Sequence, residues 1–358
     1  MSAAPSSTLP RGAAPGTSLA REFWLQQAPL IGGALLLGVI AAYWQHGFLP
    51  GAERAFPVAE VRVPVWHVIW MGVWTGYTMA VVGEAAGIFA LPYSMSILQF
   101  VNPSVTPSTQ LLTFLNPIGA LLGFRRSGQW NLKFAAAVCI GGAVGGLIGP
   151  FLRSGLLAAA DVFHVAVGIA LAIAGVHLCY AAFHAPAKRV PGANGRDAYR
   201  EKVSIQARVS GWRILVSFRD QSWDLNMLAL FGVGAGVGMF ASALGVGGGF
   251  LLVPIFASLY GLPMYVLVAA TIPYVIVLSA VGLLTYNLVL PAFGSAPIAP
   301  EWSWGFFAAA GGIFGSWAAS KTQMFVPEHF LKLMLGSVTG IVGTLYIINF
   351  FYPLPFKL

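Results

Sequence analysis

Long apolar runs dominate the pattern of hydrophobic and polar positions along the chain. They cover residues 23–48, 66–100, 107–124, 132–151, 161–184, 226–260, 264–290, 303–320 and 329–351. No Asp, Glu, Lys or Arg occurs within 225–300, and Glu84 is the only one within 63–124. A helix crosses the hydrocarbon with about 20 residues, and the runs are too continuous for alternating barrel strands. The pattern therefore predicts an all-α integral membrane protein.

Composition and charge support this prediction and narrow the function classes. The 358 residues are 58% hydrophobic and 8% charged, whereas roughly a quarter of the residues in a soluble domain are charged. The net charge is +8, but the basic residues lie in loops that flank the apolar runs. This arrangement reports membrane topology and argues against a nucleic-acid partner. The two cysteines lie inside apolar runs and are interpreted as buried thiols, with a disulfide or metal pair as the alternative.

The runs 66–100 and 226–260 are too long for one upright span, and a glycine-rich decapeptide interrupts each of them. The first is GEAAGIFALP, from Gly83 to Pro92, and the second is GVGGGFLLVP, from Gly245 to Pro254. The offset of 162 residues between them also pairs Gly72 with Gly234, Gly76 with Gly238, Ser96 with Ser258 and Thr109 with Thr271. Offsets of 170 and 168 pair later glycines, namely Gly141 with Gly311, Gly168 with Gly336 and Gly175 with Gly343. These matches predict an internal repeat, and chance matching in a glycine-rich chain is the alternative.

Loop charges distinguish two ways in which the long runs can cross the membrane. If each run is a re-entrant hairpin and the N-terminus is cytoplasmic, the eight basic residues within 185–220 lie inside, as the positive-inside bias requires. A single broken crossing by 66–100 would place them outside. The hairpin arrangement gives the two halves opposite orientations. Inverted repeats with interrupted helices are typical of secondary transporters.

The predicted organisation has five parts. Residues 1–22, rich in Ser, Ala, Pro and Gly, form a disordered tail, and residues 23–48 form an extra N-terminal transmembrane helix. The remaining parts are repeat 1 at 66–184, a basic cytoplasmic linker at 185–222 and repeat 2 at 223–351. Each repeat comprises a glycine-broken hairpin followed by three transmembrane helices. The C-terminus is expected outside.

The second decapeptide, with Thr271 seventeen residues after its proline, resembles the signature of the TauE/SafE-like sulfite exporter family, also called the toluene sulfonate uptake permease family. The resemblance covers residues 66–351. It implies a carrier of the cell inner membrane, with two homologous halves, that moves anions such as sulfite, sulfonates and sulfoacetate. The first decapeptide departs from the family pattern because Glu84, Ala85 and Ala86 replace its central glycines. The expected fold is unaffected, but the substrate and the coupling ion are left open.

Glycines of the two decapeptides are the first candidate substrate-binding residues: Gly83, Gly87, Gly245, Gly247, Gly248 and Gly249. Such clusters allow positive φ and present consecutive N–H groups at the start of a half-helix, where the dipole also favours an anion. Pro92 and Pro254 lack an N–H and are expected to bend or open the following helix, which makes them candidate gating residues. Close helix packing is the alternative role for these glycines. It is the preferred interpretation for Gly72, Gly76, Gly234 and Gly238.

Glu84 is a carboxylate at membrane depth, which is costly unless the group is protonated, paired or facing water. It is predicted to couple transport to protons or to gate the substrate, because burial favours its neutral form. A structural hydrogen bond to a helix end and a shallow, wet position are the alternatives. Uncharged polar residues inside apolar runs are further candidates for binding anion oxygens, namely Thr109, Gln110, Asn116 and Thr271. A membrane threonine, however, commonly bonds its own helix.

Arg153, like other basic residues at the ends of apolar runs, is interpreted as a loop-end residue, with steering of anions as the alternative. No HExxH or CxxC pattern occurs, so neither a metal site nor a cofactor is predicted. The predicted function is secondary transport of a small sulfur-containing anion by alternating access, coupled to protons through Glu84, and no enzyme activity is expected. Carriage of another organic anion or of a cation, or a non-transporting membrane enzyme or assembly factor, are the alternatives. Membrane lipids are expected partners, and homo-oligomer formation and transport direction are left open.

Overall fold

The arrangement of the predicted runs is seen in a computed structural model of the chain. It describes residues 23–82, 86–127, 131–183, 205–218, 221–262, 264–296, 298–322 and 328–352. The predicted tail, residues 1–22, and residues 184–204 of the predicted linker lie outside the described residues. Gly83 and Glu84 lie outside them as well.

Helices account for most of the described chain. Their bounds are α1 Ala28–His46, α2 Val65–Val82, α3 Gly87–Pro92, α4 Val105–Ser127, α5 Leu132–Ser154, α6 Ala160–Phe183, α7 Met227–Leu244, α8 Gly249–Tyr260, α9 Met264–Leu284, α10 Leu290–Ala292, α11 Trp302–Thr322 and α12 Glu328–Phe351. Short π-helical segments precede α1, follow α3 and precede α10 at Phe23–Gln27, Tyr93–Ile97 and Thr285–Val289. Six helices within the described ranges are long and apolar enough to cross a membrane. At this level the predicted helical membrane protein is confirmed.

Local sequence signals fix both ends of α7, a helix that matters for the site. Asn226 caps α7, where its Oδ1 accepts a hydrogen bond from the N–H of Leu228 at 2.8 Å. At the other end, α7 stops at Leu244 because Gly245 has a φ of 76°, a left-handed conformation that favours glycine. The second glycine segment therefore begins at a defined point, directly after an 18-residue helix.

Glycines bring α2 into backbone contact with α11. Gly72 lies against the carbonyl oxygen of Ala308, and Gly76, one turn later, lies against Gly312. Larger side chains would force the helices apart, so small residues set the distance between them. Because the contacts advance together along both helices, α2 and α11 run parallel.

The contact between α7 and α5 repeats the contact between α2 and α11. A Cβ added at Gly234 would lie 2.7 Å from the carbonyl oxygen of Val138. Gly234 follows Gly72 by 162 residues and Ala308 follows Val138 by 170 residues, which are the two offsets found in the sequence. The offsets thus relate spatial contacts as well as residue types. The packing role predicted for Gly72 and Gly234 is confirmed.

The last helices of the two halves, α6 and α12, pack on each other in opposite directions. Gly168 contacts Gly343, whereas Gly175, two turns later, contacts Gly336. The residue numbers of the contacts decrease along α12 as they increase along α6, so the two helices are antiparallel. The offset of 168 relates Gly168 to Gly336 and Gly175 to Gly343, so the repeat maps each of these contacts onto the other.

In the first half, the helices on either side of α3 run the same way. Along α4, Leu111 lies beside Gly305, and Asn116 lies beside Gly312 of α11. The helix α4 is therefore parallel to α11, and so to α2. Because α2 and α4 point in one direction, the chain between them, which contains α3, has to return.

The second half has the same arrangement around α8. The hydroxyl of Tyr274 in α9 donates to the carbonyl oxygen of Gly234 at 2.9 Å. Further along both helices, Gly282 of α9 lies against the side chain of Ser242 in α7. The helices α7 and α9 are therefore parallel, and the chain through α8 returns between them.

Residues 206–218 and 221–226 contain a three-stranded antiparallel sheet that was not predicted. Its strands, in spatial order, are β1 Gln206–Ser210, β2 Arg213–Phe218 and β3 Gln221–Asn226. A two-residue turn joins β1 to β2, and its first residue, Gly211, has a φ of 58°. Ile214, Val216 and Phe218 alternate along β2 and are buried in the main hydrophobic core. The chain is mainly helical rather than all-α, because the end of the predicted linker and the start of predicted repeat 2 are extended.

Candidate functional site

The second decapeptide interrupts its helix as predicted. Between the end of α7 and the start of α8, Gly245 and Gly247 have φ values of 76° and 69°. A residue with a Cβ is strained at both positions, which explains the need for glycine. The backbone N–H groups of residues 247–250 make no hydrogen bond of normal geometry with any described residue. This segment, residues 245–248, is called the second turn below, and it presents consecutive donors at the N-terminus of α8, where Gly248 and Gly249 lie.

The first decapeptide meets the second turn in space. The helix α2 ends at Val82 and α3 begins at Gly87, and residues 83–85 between them lie outside the described part of the chain. A Cβ added at Gly87 would lie 2.6 Å from the carbonyl oxygen of Val246 in the second turn. The two glycine segments therefore come together at Gly87.

Pro92 and Pro254 occupy the same position, the sixth residue, of α3 and α8. Proline has no N–H, so the carbonyl groups of Ile88 and Phe250, four residues earlier, lose their helical donor. After Pro92 the chain continues as a π-helical segment, whereas α8 continues through Pro254 to Tyr260. The predicted opening of the helix is thus found only after Pro92.

Thr109 supports the second turn from α4. Its Oγ1 would lie 2.8 Å from a Cβ at Gly245. The hydroxyl donates to the carbonyl oxygens of Val105 and Thr106, at 2.9 and 3.0 Å. These bonds correspond to the own-helix alternative, so in this conformation the proton of Thr109 is not available to an anion. The carbonyl group of Thr106 also lies against Gly245.

Gln110 connects α4 to α7 beside the second turn. Its Nε2 donates to Ser242 Oγ at 3.1 Å, and that hydroxyl donates to the carbonyl oxygen of Gly146 at 3.3 Å. The hydroxyl of Tyr286 donates to the carbonyl oxygen of Ser242 at 3.3 Å. The Oε1 atom of Gln110 is buried and has no partner among the described residues. One acceptor of this cluster is therefore unsatisfied.

Asn116 lies further along α4 and is fully buried. Neither its Oδ1 nor its Nδ2 has a hydrogen-bond partner among the described residues. One turn earlier, Thr113 bonds to Ser279 of α9 at 3.0 Å, and its methyl group would lie 2.7 Å from a Cβ at Gly87. A buried polar group without a partner costs about 1–3 kcal/mol. The helix α4 therefore carries unsatisfied amide groups near both glycine segments.

Thr271, the counterpart of Thr109 under the repeat, is buried on α9. One turn later on the same helix, the ring of Tyr274 lies 2.6 Å from a Cβ added at Gly248. The helix α9 thus contacts the second turn through Tyr274. Thr109 contacts Gly245. The repeat would place Thr271 beside Gly83, the counterpart of Gly245, which lies outside the described residues.

Arg153 lies in the last turn of α5, at the loop end that the sequence predicts, but its side chain is buried, with 2% exposure, instead of extending into solvent. Its Nε donates to Thr106 Oγ1 at 3.2 Å, its Nη1 donates to the carbonyl oxygen of Leu157, and its guanidinium carbon lies 3.9 Å from the centre of the Phe163 ring. No carboxylate among the described residues lies within ion-pair distance of it. The available sequence signal was a single charge between two apolar stretches.

The described residues of both glycine segments are enclosed in this conformation. Residues 86–91 and 241–250 are buried. Two cavities lie elsewhere, one lined by Tyr43 and residues 48–54, and one between α5, α7 and Trp212. An anion would therefore reach the second turn only after the surrounding helices have moved.

Comparison with protein families gives one match that spans most of the chain. The family model described as "Sulfite exporter TauE/SafE" matches residues 68–346. The matched range contains both glycine segments, Gln110, Asn116 and Arg153, and α1 lies before it. No curated protein and no solved structure matches the chain.

Proposed function

Because the chain belongs to the sulfite exporter TauE/SafE family, we propose that it is a secondary transporter, and not an enzyme, for a small sulfur-containing anion. The proposed substrates are anions of the sulfite, sulfonate or sulfoacetate type. One observation carries the proposal: the N–H groups of residues 247–250 are buried, consecutive and without a partner among the described residues.

An anion fits these donors for two physical reasons. Free N–H groups and the positive end of the α8 dipole attract negative charge. The oxygens of a sulfite or sulfonate group each accept hydrogen bonds, so one anion satisfies several donors that otherwise remain unpaired. In this proposal Gly247, Gly248 and Gly249 bind the anion through their amides, and Gly245 allows the chain to turn. Gly87 closes the site from the other half.

The polar side chains of α4 and α9 complete the proposed site. The amide groups of Gln110 and Asn116 are buried with unpaired atoms, and they would gain hydrogen bonds from a ligand or its water. Thr109 and Thr271 hold the helices around the second turn in the conformation described. They become donors to the anion only if their helix bonds break during the transport cycle.

We further propose that the two halves are inverted repeats with re-entrant hairpins. The antiparallel packing of α6 and α12 supports inversion, because these helices are equivalent under the offset of 168. The parallel directions of α2 and α4, and of α7 and α9, support hairpins that leave on the side where they enter. Movement of one half against the other would then open the second turn to each side of the membrane in succession.

The proposed orientation in the cell inner membrane has the N-terminus in the cytoplasm and the C-terminus outside. Arg208 and Arg213 are exposed on the sheet that follows the basic linker. Exposed basic residues of this kind favour the cytoplasmic side and can contact anionic lipid headgroups.

Glu84 is proposed to couple transport to protons. It interrupts the first glycine segment directly before α3, and a carboxylate at membrane depth favours its neutral form when water is excluded. Pro92, followed by the π-helical segment, is proposed as the gating position of this half. Pro254 is the corresponding position in α8.

Uptake into proteoliposomes tests the function and the coupling together. The native protein and Glu84→Gln are compared for labelled sulfite, sulfoacetate, taurine and lactate, with and without a pH gradient, against protein-free liposomes. We expect saturable uptake of the sulfur anions that a pH gradient stimulates, and loss of the stimulation in Glu84→Gln. Preference for lactate, or no uptake of any sulfur anion, would refute the proposed substrate class. Equal loss of binding at every pH in Glu84→Gln would instead assign Glu84 a structural role.

A further inference from the structure

We propose that Arg153 supplies the fixed positive charge that holds the transported anion at the second turn. This inference rests on the proposed function and adds a cation to a site that is otherwise built from neutral donors.

Among the described residues, the charge of Arg153 has no counterion. The side chain is 2% exposed, and no described carboxylate lies within ion-pair distance. The next acidic residue along the chain, Asp161, is exposed. A buried charge is costly unless it is paired with an opposite charge. A bound anion would provide the missing negative charge.

Neutral groups hold the guanidinium in place. Nε bonds to Thr106, Nη1 bonds to the carbonyl group of Leu157, and the ring of Phe163 covers one face at 3.9 Å. An arginine has five N–H donors in a planar fork, so these two bonds leave three donors for a ligand. The position of the fork is fixed before a ligand arrives, which lowers the cost of binding.

Thr106 connects this cation to the second turn. Its Oγ1 accepts the bond from Arg153, while its carbonyl group lies against Gly245. The guanidinium and Gly245 therefore contact the same residue, Thr106. Gly245 lies two residues before the first N–H group, that of Gly247, which has no partner among the described residues. An oxyanion drawn to those N–H groups would lie in the field of the guanidinium, and would be attracted more strongly as its own charge increases.

A purely structural role makes a different prediction. Arg153 links α4 to the loop after α5, through Thr106 and Leu157, and could serve only to hold that loop. In that case its removal would lower stability without changing how affinity depends on the charge of the ligand. The two roles can therefore be separated by comparing ligands of different charge.

The experiment measures binding of methanesulfonate, a monoanion, and sulfoacetate, a dianion, to purified protein by calorimetry, with thermal unfolding recorded in parallel. The variants are Arg153→Lys and Arg153→Gln. The control is Arg208→Gln, which removes one positive charge from an exposed position. Phe163→Leu removes the ring beneath the guanidinium and keeps the charge. We expect Arg153→Gln to weaken sulfoacetate binding about tenfold or more, as for a hydrogen bond to a charged group, with a smaller loss for methanesulfonate. Arg153→Lys should retain most of the preference for the dianion.

The outcomes separate this inference from the proposed function. If the native protein binds the sulfur anions and Arg153→Gln binds both equally well, Arg153 is structural and the proposed function stands. If Arg153→Gln does not fold, the affinities of Phe163→Leu and Arg153→Lys for the two anions are compared instead. The inference is contradicted if these variants lose affinity for methanesulfonate and sulfoacetate equally and in proportion to their loss of stability. If the native protein binds neither anion, the function and the inference fall together.

Discussion

Gly87 is where the first glycine segment touches the second turn, and its replacement by alanine tests whether that contact matters for transport. A Cβ at this position would lie 2.6 Å from the carbonyl oxygen of Val246, and 2.7 Å from both the carbonyl carbon of Val246 and the methyl carbon of Thr113. Nonbonded carbon atoms are best separated by about 3.5–4.0 Å, so the added methyl group needs roughly 1 Å more space. The neighbour at Val246 is backbone and cannot rotate away, so the two segments have to separate.

The cost of this overlap is about 1–3 kcal/mol, the usual range for an extra carbon in a packed interior. The cost falls on conformations in which Gly87 and Val246 touch. If the transport cycle has to pass through such a conformation, its population falls by about 5- to 150-fold. A conformation in which the segments are apart is unaffected.

Sulfite uptake into proteoliposomes and thermal unfolding of the purified protein measure the two effects of Gly87→Ala. The matched control is Gly236→Ala on α7, where an added Cβ meets nothing within 4 Å. We expect uptake by Gly87→Ala to fall at least about fivefold, and uptake by Gly236→Ala to remain at the native rate. Native uptake by Gly87→Ala would show that the contact with Val246 is not required during transport, and would refute the site as proposed.

Three further predictions concern stability. Gly234→Ala should lower the free energy of unfolding by about 1–3 kcal/mol, because its Cβ would lie 2.7 Å from a backbone oxygen of α5; a Tm equal to that of Gly236→Ala would contradict this. His46→Ala should cost about 1.5–3 kcal/mol, the usual value of a hydrogen bond to a charged group, because Glu301 is 0% exposed and loses one bond of 2.8 Å while Val58 and Ser303 still donate to it. The double variant His46→Ala/Glu301→Gln should have a higher Tm than His46→Ala alone, because the buried carboxylate is then neutral. A lower Tm of the double variant would refute the explanation. Gly211→Val should raise hydrogen exchange in β1 and β2, because φ is 58° at this position, while α7 stays protected; unchanged exchange would show that the turn tolerates a Cβ.

The helical fold and the internal repeat could be predicted because their signals are local and periodic. Apolar runs of membrane length leave few alternatives to helices. The offsets of 162 and 170 also relate contacts in the structure. They convert the contact of Gly72 with Ala308 into the contact of Gly234 with Val138. Glycine spacing carried this information because close helix packing leaves no room for a Cβ.

The sheet at 206–226 was missed although its sequence signal was present. Ile214, Val216 and Phe218 alternate with exposed residues, and Gly211 begins a two-residue turn. Alternation of this kind with a glycine turn is typical of a hairpin. The basic residues of this segment indicated a cytoplasmic loop, whereas in the structure Arg208 and Arg213 are exposed residues of β1 and β2.

Side-chain partners at the site could not be predicted, because they join residues far apart in the chain. Arg153 bonds to Thr106, 47 positions away, and Gln110 bonds to Ser242, 132 positions away. A single sequence gives no information on such pairs, since each residue alone fits a loop end or a membrane helix equally well. Thr109 shows the converse case, because its bonds to its own helix follow from general threonine chemistry.

The two halves are alike in packing but different in polarity, and this difference bears on how a carrier of this design works. At the repeat offset of 162, Thr109 corresponds to Thr271, but three other polar residues of the site correspond to apolar residues: Ser242 to Ala80, Gln110 to Ile272 and Asn116 to Leu278. Matching contacts in both halves suit alternating access, because two conformations that exchange the halves can then have similar energies. The polar groups do not exchange, so the anion would meet the same donors, from the second turn and from α4, on either side of the membrane. In the proposed cycle the second half binds the substrate, and the first half closes over it through Gly87.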